Sequence, residues 1–328
     1  MTGSTMRAIS QDVLGGPEVL REVECERPVP GPTEVLVRVH AAGLNPTDWK
    51  HRATGGLLGR PPFVLGWDVS GVVEAVGLGT AVLKPGDEVF GMLRYPYGHG
   101  AFAEYVTAPA RTFVRRPRGL DHVRAAALPL AALTAWQALV DVAAVRAGHR
   151  VLVHAAAGGV GHLAVQIAKA RGAHVIGTAS APKHDLLRGL GADELVDYRE
   201  VDFAETVRDV DVVLDTMGGD YSLRSLRTLR EGGVIVSLVL SGMPEGFGAQ
   251  AEAAGVRAES MFVEPDHAAL KAIAALAQAG RLRAEIDAVF PLEQAAQAHE
   301  RGETGRTTGK IVLTVASSDG ADEPGRSA

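Results

Sequence analysis

A single cysteine, Cys25, is all that the 328-residue chain contains. No intrachain disulfide can therefore form, a cysteine-rich metal site is excluded, and a thiol without catalytic role is expected at Cys25. Positive charge is not in excess, with 33 Lys and Arg against 39 Asp and Glu and a formal net charge of -6. That balance gives no basic stripe for nucleic acid or an anionic membrane, so neither is expected as a partner and small ligands are. No apolar run approaches the length of a membrane span, and the opening MTGSTMRAIS lacks a basic region followed by an apolar stretch. A reducing cytoplasm is the expected location.

What is present is length and apolar content enough for two cores, the hydrophobic fraction being 46%. Up to about residue 125 the chain reads as short β-rich runs such as EVLVRVHAAG and VSGVVEAVG, punctuated by Gly and Pro. Beyond it, apolar strands alternate with amphipathic segments: VLVH, HVIGT, ELVDY, DVVLD, VIVSLV and AESMF. That alternation predicts an α/β fold with a parallel, doubly wound, six-stranded sheet. The helical pattern HAALKAIAALAQAGRL, then PLEQAAQAHERGE and a final strand GKIVLTV, is expected to return to the first domain. The expected division is residues 1–125, 126–263, a return over 264–315, and a polar, disordered tail at 316–328.

The segment VLVHAAAGGVGHLAVQIAKA places a glycine-rich turn between a strand and a helix, the context in which a dinucleotide fingerprint carries meaning. Gly158 lets the backbone approach a pyrophosphate, Gly161 lets helix and strand pack closely, and free N–H groups at the helix start face the anion. The usual first glycine is replaced by Ala156. His154 and His162 flank the turn without a carboxylate at ligand spacing, so no metal is expected there. They are read as a strand-end residue near the cofactor and a polar helix residue. At the end of the second strand, where an acid would bond the ribose 2′-hydroxyl of NAD, stand Thr178 and Ser180. With Lys183 close behind, the expected cofactor is NADPH.

These segments, with GADELVDYRE and FPLEQAAQAHE…TGKIVLTV, resemble the medium-chain dehydrogenase/reductase superfamily from about Met6 to Val315. AAGLNPTDWKHRATG, VLGWDVSGVVEAVG and LPLAALTAWQAL are similar to its zinc-free quinone oxidoreductase and enone reductase branch. The resemblance implies a GroES-like β-rich catalytic domain followed by a Rossmann domain. It places Ala157, Gly158, Gly159, Val160 and Gly161 at the pyrophosphate, and Ser180, Lys183 and Tyr198 around the 2′-phosphate. Asn45 and Thr134 are implied at the nicotinamide end, bordered by Leu238, Val239, Leu240, Phe262 and Val263. Where zinc alcohol dehydrogenases carry a cysteine ligand and a His-Glu pair, this chain has Asn45 and Trp67-Asp68. No metal is therefore implied, and a homodimer is.

The expected activity is hydride transfer to a quinone or α,β-unsaturated carbonyl, whose delocalised product anion needs no Lewis acid. Candidate donors to the acceptor oxygen are Asn45, Tyr95, Tyr97 and Lys50, with Asp48 orienting one of them; capping and loop roles are the alternatives for each. Trp49, Phe63 and Trp67 would suit an apolar, flat acceptor, but aromatic residues in a β domain are more often core. RTFVRRPRG leaves open an enoyl thioester reductase with a basic entrance for a carrier phosphate. A third possibility is a non-catalytic NADPH-binding protein, either structural or recognising RNA; the acidic net charge speaks against RNA.

Overall fold

The computed structural model describes residues 4–97, 100–239 and 242–315. Leu240 and the tail at 316–328 lie outside the described residues. The N-terminal part is built on strands β1 (Thr5–Gln11), β2 (Arg21–Glu26), β3 (Glu34–Leu44), β4 (Phe63–Val64), β5 (Asp68–Val76), β6 (Glu88–Met92), β7 (Tyr105–Pro109) and β8 (Phe113–Arg115). A three-stranded sheet orders β2-β1-β4, and β3, β5, β6 and β8 pair in succession, with β7 on β3. All these pairings are antiparallel.

The second part carries β9 (Arg150–Val153), β10 (His174–Thr178), β11 (Glu194–Val196), β12 (Val210–Asp215), β13 (Leu229–Ser237) and β14 (Arg257–Ser260). They form the expected six-stranded sheet in the order β11-β10-β9-β12-β13-β14, parallel throughout. Val151, Leu152 and Val153 are buried without alternation, as helices on both faces of a parallel sheet require. The order reverses between β9 and β12. The crevice beyond the carboxyl ends of these strands is where such sheets bind ligands.

Two last strands, β15 (Ile286–Pro291) and β16 (Lys310–Thr314), return to the N-terminal part and extend the β3-β5-β6-β8 sheet in the order β15-β16-β3. β16 lies antiparallel to β3, with Ile311 opposite Leu44. A helix over Pro46–Thr54 starts immediately after β3, its proline at the first turn and Gly55 ending it at φ +78°. One apolar core runs from β3 and β5 through the helix Pro129–Trp136 to the helix Gly161–Ala170, so the two sheets share packing beside the crevice. Among the described residues no helix is long and apolar enough to cross a membrane.

Candidate active site

The glycine turn closes tightly on β9. Ala155 sits in the left-handed region at φ +45°, and Gly158 N donates to its carbonyl at 2.8 Å. A Cβ on Gly161 would lie 2.3 Å from Ala155 O, so only glycine fits where helix and strand meet. A Cβ on Gly158 would press on Ala155 O at 3.2 Å, whereas one on Gly159 would make only ordinary contact, with Lys310 Cδ at 3.4 Å. Among the described residues, no acceptor takes the N–H groups of Gly159 and Val160. Free donors at the start of a ten-residue helix, beside a glycine that leaves space, fit a pyrophosphate.

His162 departs from the reading as a polar helix residue, being fully buried. Glu285 N donates to its Nε2 at 3.1 Å, which puts the proton on Nδ1 and lets that nitrogen donate to Gly158 O at 2.8 Å. Burial holds its pKa down at about 4. The imidazole thus ties the turn to the returning segment, as does Gly309 N, which donates to Ala157 O at 2.9 Å. His154 is likewise buried, between Thr178 Oγ1 at 3.2 Å and Ser225 Oγ at 2.8 Å.

At the end of β10 the hydroxyl of Thr178 is engaged inward, accepting from Ala155 N at 3.2 Å. Ser180 is buried at the start of a short 3₁₀ turn. Lys183 Nζ reaches over to the carbonyl oxygens of Thr307 at 3.3 Å and Arg306 at 3.5 Å, and Tyr198 is 46% exposed. The acid of this neighbourhood is Asp197, from beyond β11, which sequence reasoning passed over. Its carboxylate accepts from Ala181 N at 2.8 Å and Arg199 N at 3.0 Å, and these two bonds lower its pKa.

Across the crevice lies a buried polar cluster. Asp48 Oδ2 accepts from Asn45 N at 2.6 Å, closing the helix start, and its Oδ1 accepts from Gly66 N at 3.0 Å. Burial pushes the Asp48 carboxyl up to about 8. Asn45 Nδ2 donates to Asp68 Oδ2 at 2.8 Å, and Asp68 Oδ1 accepts from Leu130 N at 2.6 Å. Lys310, which sequence reasoning missed, sends its ammonium into this cluster. It donates to Leu44 O at 2.9 Å and to Asn45 Oδ1, with Asp68 Oδ2 at 3.4 Å. Since an ammonium only donates and Asp68 only accepts when ionised, these contacts fix which way the Asn45 amide points. Desolvation raises the pKa of Asp68 and lowers that of Lys310.

The remaining candidates divide. Tyr95 is half-buried, its hydroxyl 3.1 Å from Thr47 Oγ1, and its ring stands edge-on to buried Trp67 with centroids 5.1 Å apart. Tyr97 is 63% exposed, and Lys50 is exposed. Trp67 is core, Phe63 is half-buried on β4, and Trp49 packs over Gly302. Thr134 is buried with Oγ1 donating to Leu130 O at 2.7 Å, so its hydroxyl is taken by its own helix. Leu238 and Val239 leave β13 half-buried, as is Val263, whereas Phe262 is 59% exposed. The helix carrying Asn45 and Asp48 is braced by buried Arg52, whose Nη2 lies 2.7 Å from Glu303 Oε1 on the returning helix. A separate 750 Å³ groove lined by Arg146, Asp211, Arg230 and Arg257 opens at the amino ends of β12–β14, away from the crevice.

Two family models match the chain, an alcohol dehydrogenase GroES-like domain over residues 31–118 and a zinc-binding dehydrogenase over residues 190–313. The chain is 33% identical to the quinone oxidoreductase of Homo sapiens over 94% of its own length and 98% of that protein. It is 35% identical to the 2-methylene-furan-3-one reductase of Solanum lycopersicum, over 94% of this chain and 79% of that one. The solved structure of the Escherichia coli quinone oxidoreductase complexed with NADPH superposes with a TM-score of 0.85 at 29% identity, covering 95% of this chain and all of that one.

Proposed function

Because the chain belongs to the zinc-free quinone oxidoreductase branch of the medium-chain dehydrogenase/reductase superfamily, with relatives that are quinone oxidoreductases and reductases, we propose that it reduces a quinone or enone with NADPH and without a metal ion. The observation that carries the metal-free part of this reading is the buried ammonium of Lys310, set against Asn45 and Asp68. A divalent cation held by those two residues would face that ammonium at close range in a site without solvent to screen it. The donor set also lacks the nitrogen and sulfur ligands that zinc favours.

NADPH, when bound, supplies the hydride. The free N–H groups of Gly159 and Val160 hold its pyrophosphate, and Ala157 to Gly161 form the cradle. Ser180, Lys183 and Tyr198 hold the 2′-phosphate, with Thr178 shaping the turn beneath them. Asn45, Thr134, Leu238, Val239, Phe262 and Val263 frame the nicotinamide end. At the acceptor, Asn45 retains an amide hydrogen beyond its bond to Asp68, Asp48 holds the Asn45 backbone in place, and Tyr97 closes the rim. Their task is to orient the acceptor and donate to its oxygen as negative charge develops there. The Tyr95 hydroxyl, linked to Thr47, is placed to share it.

The division at residues 125, 263 and 315, a homodimer and a cytoplasmic location belong to the same proposal. An enoyl thioester acceptor has less support, because two of the four arginines in RTFVRRPRG, Arg115 and Arg116, are already paired with Asp87 and Glu88, at 2.9 and 2.6 Å. The test is NADPH oxidation across a panel of quinones, enones and enoyl thioesters. Turnover of quinones or enones supports the reading; turnover of thioesters alone, or of nothing, overturns it.

A further inference from the structure

The returning segment at Gly309-Lys310 touches both halves of the candidate site. On one side Gly309 N bonds Ala157 O at 2.9 Å, and Lys310 Cδ lies 3.4 Å from where Gly159 would carry a Cβ. Lys310 N donates to Glu285 O at 2.9 Å, and Glu285 N reaches Gly158 O through the His162 ring. On the other side the ammonium at the end of the same side chain holds Leu44 O and Asn45 Oδ1 beside Asp68. The helix Pro46–Thr54 starts there.

We propose that Lys310 is a positioning residue that couples the glycine turn to the acceptor end of the site: cofactor seated on the turn orders residues 43–54 through this side chain, beyond the backbone ladder that joins β16 to β3. The proposal rests on the NADPH reading above. Its physical basis is a continuous path of short contacts: turn, His162 and Gly309, Lys310, Asn45. At its far end the Asn45 amide is held in one orientation, its Oδ1 accepting from the ammonium and its Nδ2 donating to Asp68 Oδ2 at 2.8 Å. Ordering one end therefore restricts the other. Lys310 contacts neither the hydride donor nor the acceptor in this account; it acts through Asn45.

Removing the ammonium alone would leave Asp68 buried and unpaired, so the informative protein is Lys310→Met combined with Asp68→Asn, which removes both charges and keeps an apolar stem. Two readouts are compared with the wild type. In hydrogen exchange, NADPH is expected to protect residues 155–166 in both proteins and residues 43–54 only in the wild type. In steady state with a quinone or enone, kcat is expected to fall on the order of 10- to 100-fold while NADPH affinity stays near that of the wild type. Protection of 43–54 in the double variant equal to that in the wild type, or in neither protein, overturns the coupling, as does an unchanged kcat. If the wild type turns over no quinone or enone, the proposed activity falls, and the exchange comparison still decides the role of Lys310.

Discussion

Gly177 on β10 faces Ala156 of the turn so closely that a Cβ on Gly177 would lie 2.9 Å from the Ala156 Cβ. The alanine that stands in for the usual first glycine is thus accommodated by a glycine on the neighbouring strand. Gly177→Ala is expected to destabilise the fold by about 1–3 kcal/mol through overpacking. Adding Ala156→Gly should restore much of that loss, a coupling that denaturant unfolding of the two single variants and the double variant would measure. Strictly additive effects would show that the two positions do not compete for space.

The glycines of the turn have separable jobs. Gly161→Ala forces a Cβ to 2.3 Å from a carbonyl oxygen, so a lowered Tm is expected even without ligand. Gly159→Ala meets nothing closer than 3.4 Å and should fold with Tm near that of the wild type. Its methyl would occupy the proposed pyrophosphate cradle, so NADPH affinity should drop. Titration of NADPH fluorescence alongside thermal unfolding separates the two, and equal effects of both variants on Tm would contradict the assignment.

Choice of cofactor turns on the end of β10. Lys183→Ala is expected to raise KM for NADPH roughly tenfold, the worth of one hydrogen bond to a charged group, and to leave KM for NADH nearly unchanged. A parallel rise for both cofactors would place Lys183 away from the 2′-phosphate. Asp197, two bonds from the same turn, then becomes the residue to examine for a ribose hydroxyl.

Buried His162 carries a pH signature. Its pKa stands near 6.5 in the unfolded chain and about 4 in the folded one, so between those values only the unfolded chain takes up the proton. Stability from this group is complete above pH 6.5 and is lost as pH falls toward 4, a loss on the order of 3 kcal/mol. His162→Gln should therefore destabilise the fold more at pH 7 than at pH 4.5 when urea unfolding is compared. An equal penalty at both pH values would mean that His162 is protonated, or exposed, in the folded chain.

The parallel sheet was legible because its strands are apolar on both faces, and the glycine turn because strand, glycines and helix are adjacent in sequence. Lys310 was not: in TGKIVLTV it is one charged residue opening an apolar final strand, and its partners Asn45 and Asp68 lie 265 and 242 residues away. His162 carries helix periodicity but no mark of the Glu285 amide that buries it. β15 shows no alternation that would have announced it, its residues being mostly half-buried. Ala155 takes the left-handed conformation without a glycine to signal it.

The central claim, reduction of a conjugated acceptor by NADPH without a metal, is tested most directly by one rate. That rate is NADPH oxidation with a quinone or enone acceptor, by protein dialysed against a strong chelator and assayed for zinc. The account predicts an undiminished rate and substoichiometric zinc, because the Lys310 ammonium stands against the Asn45 and Asp68 oxygens that a cation would need. A rate abolished by chelation and restored by zinc would contradict it.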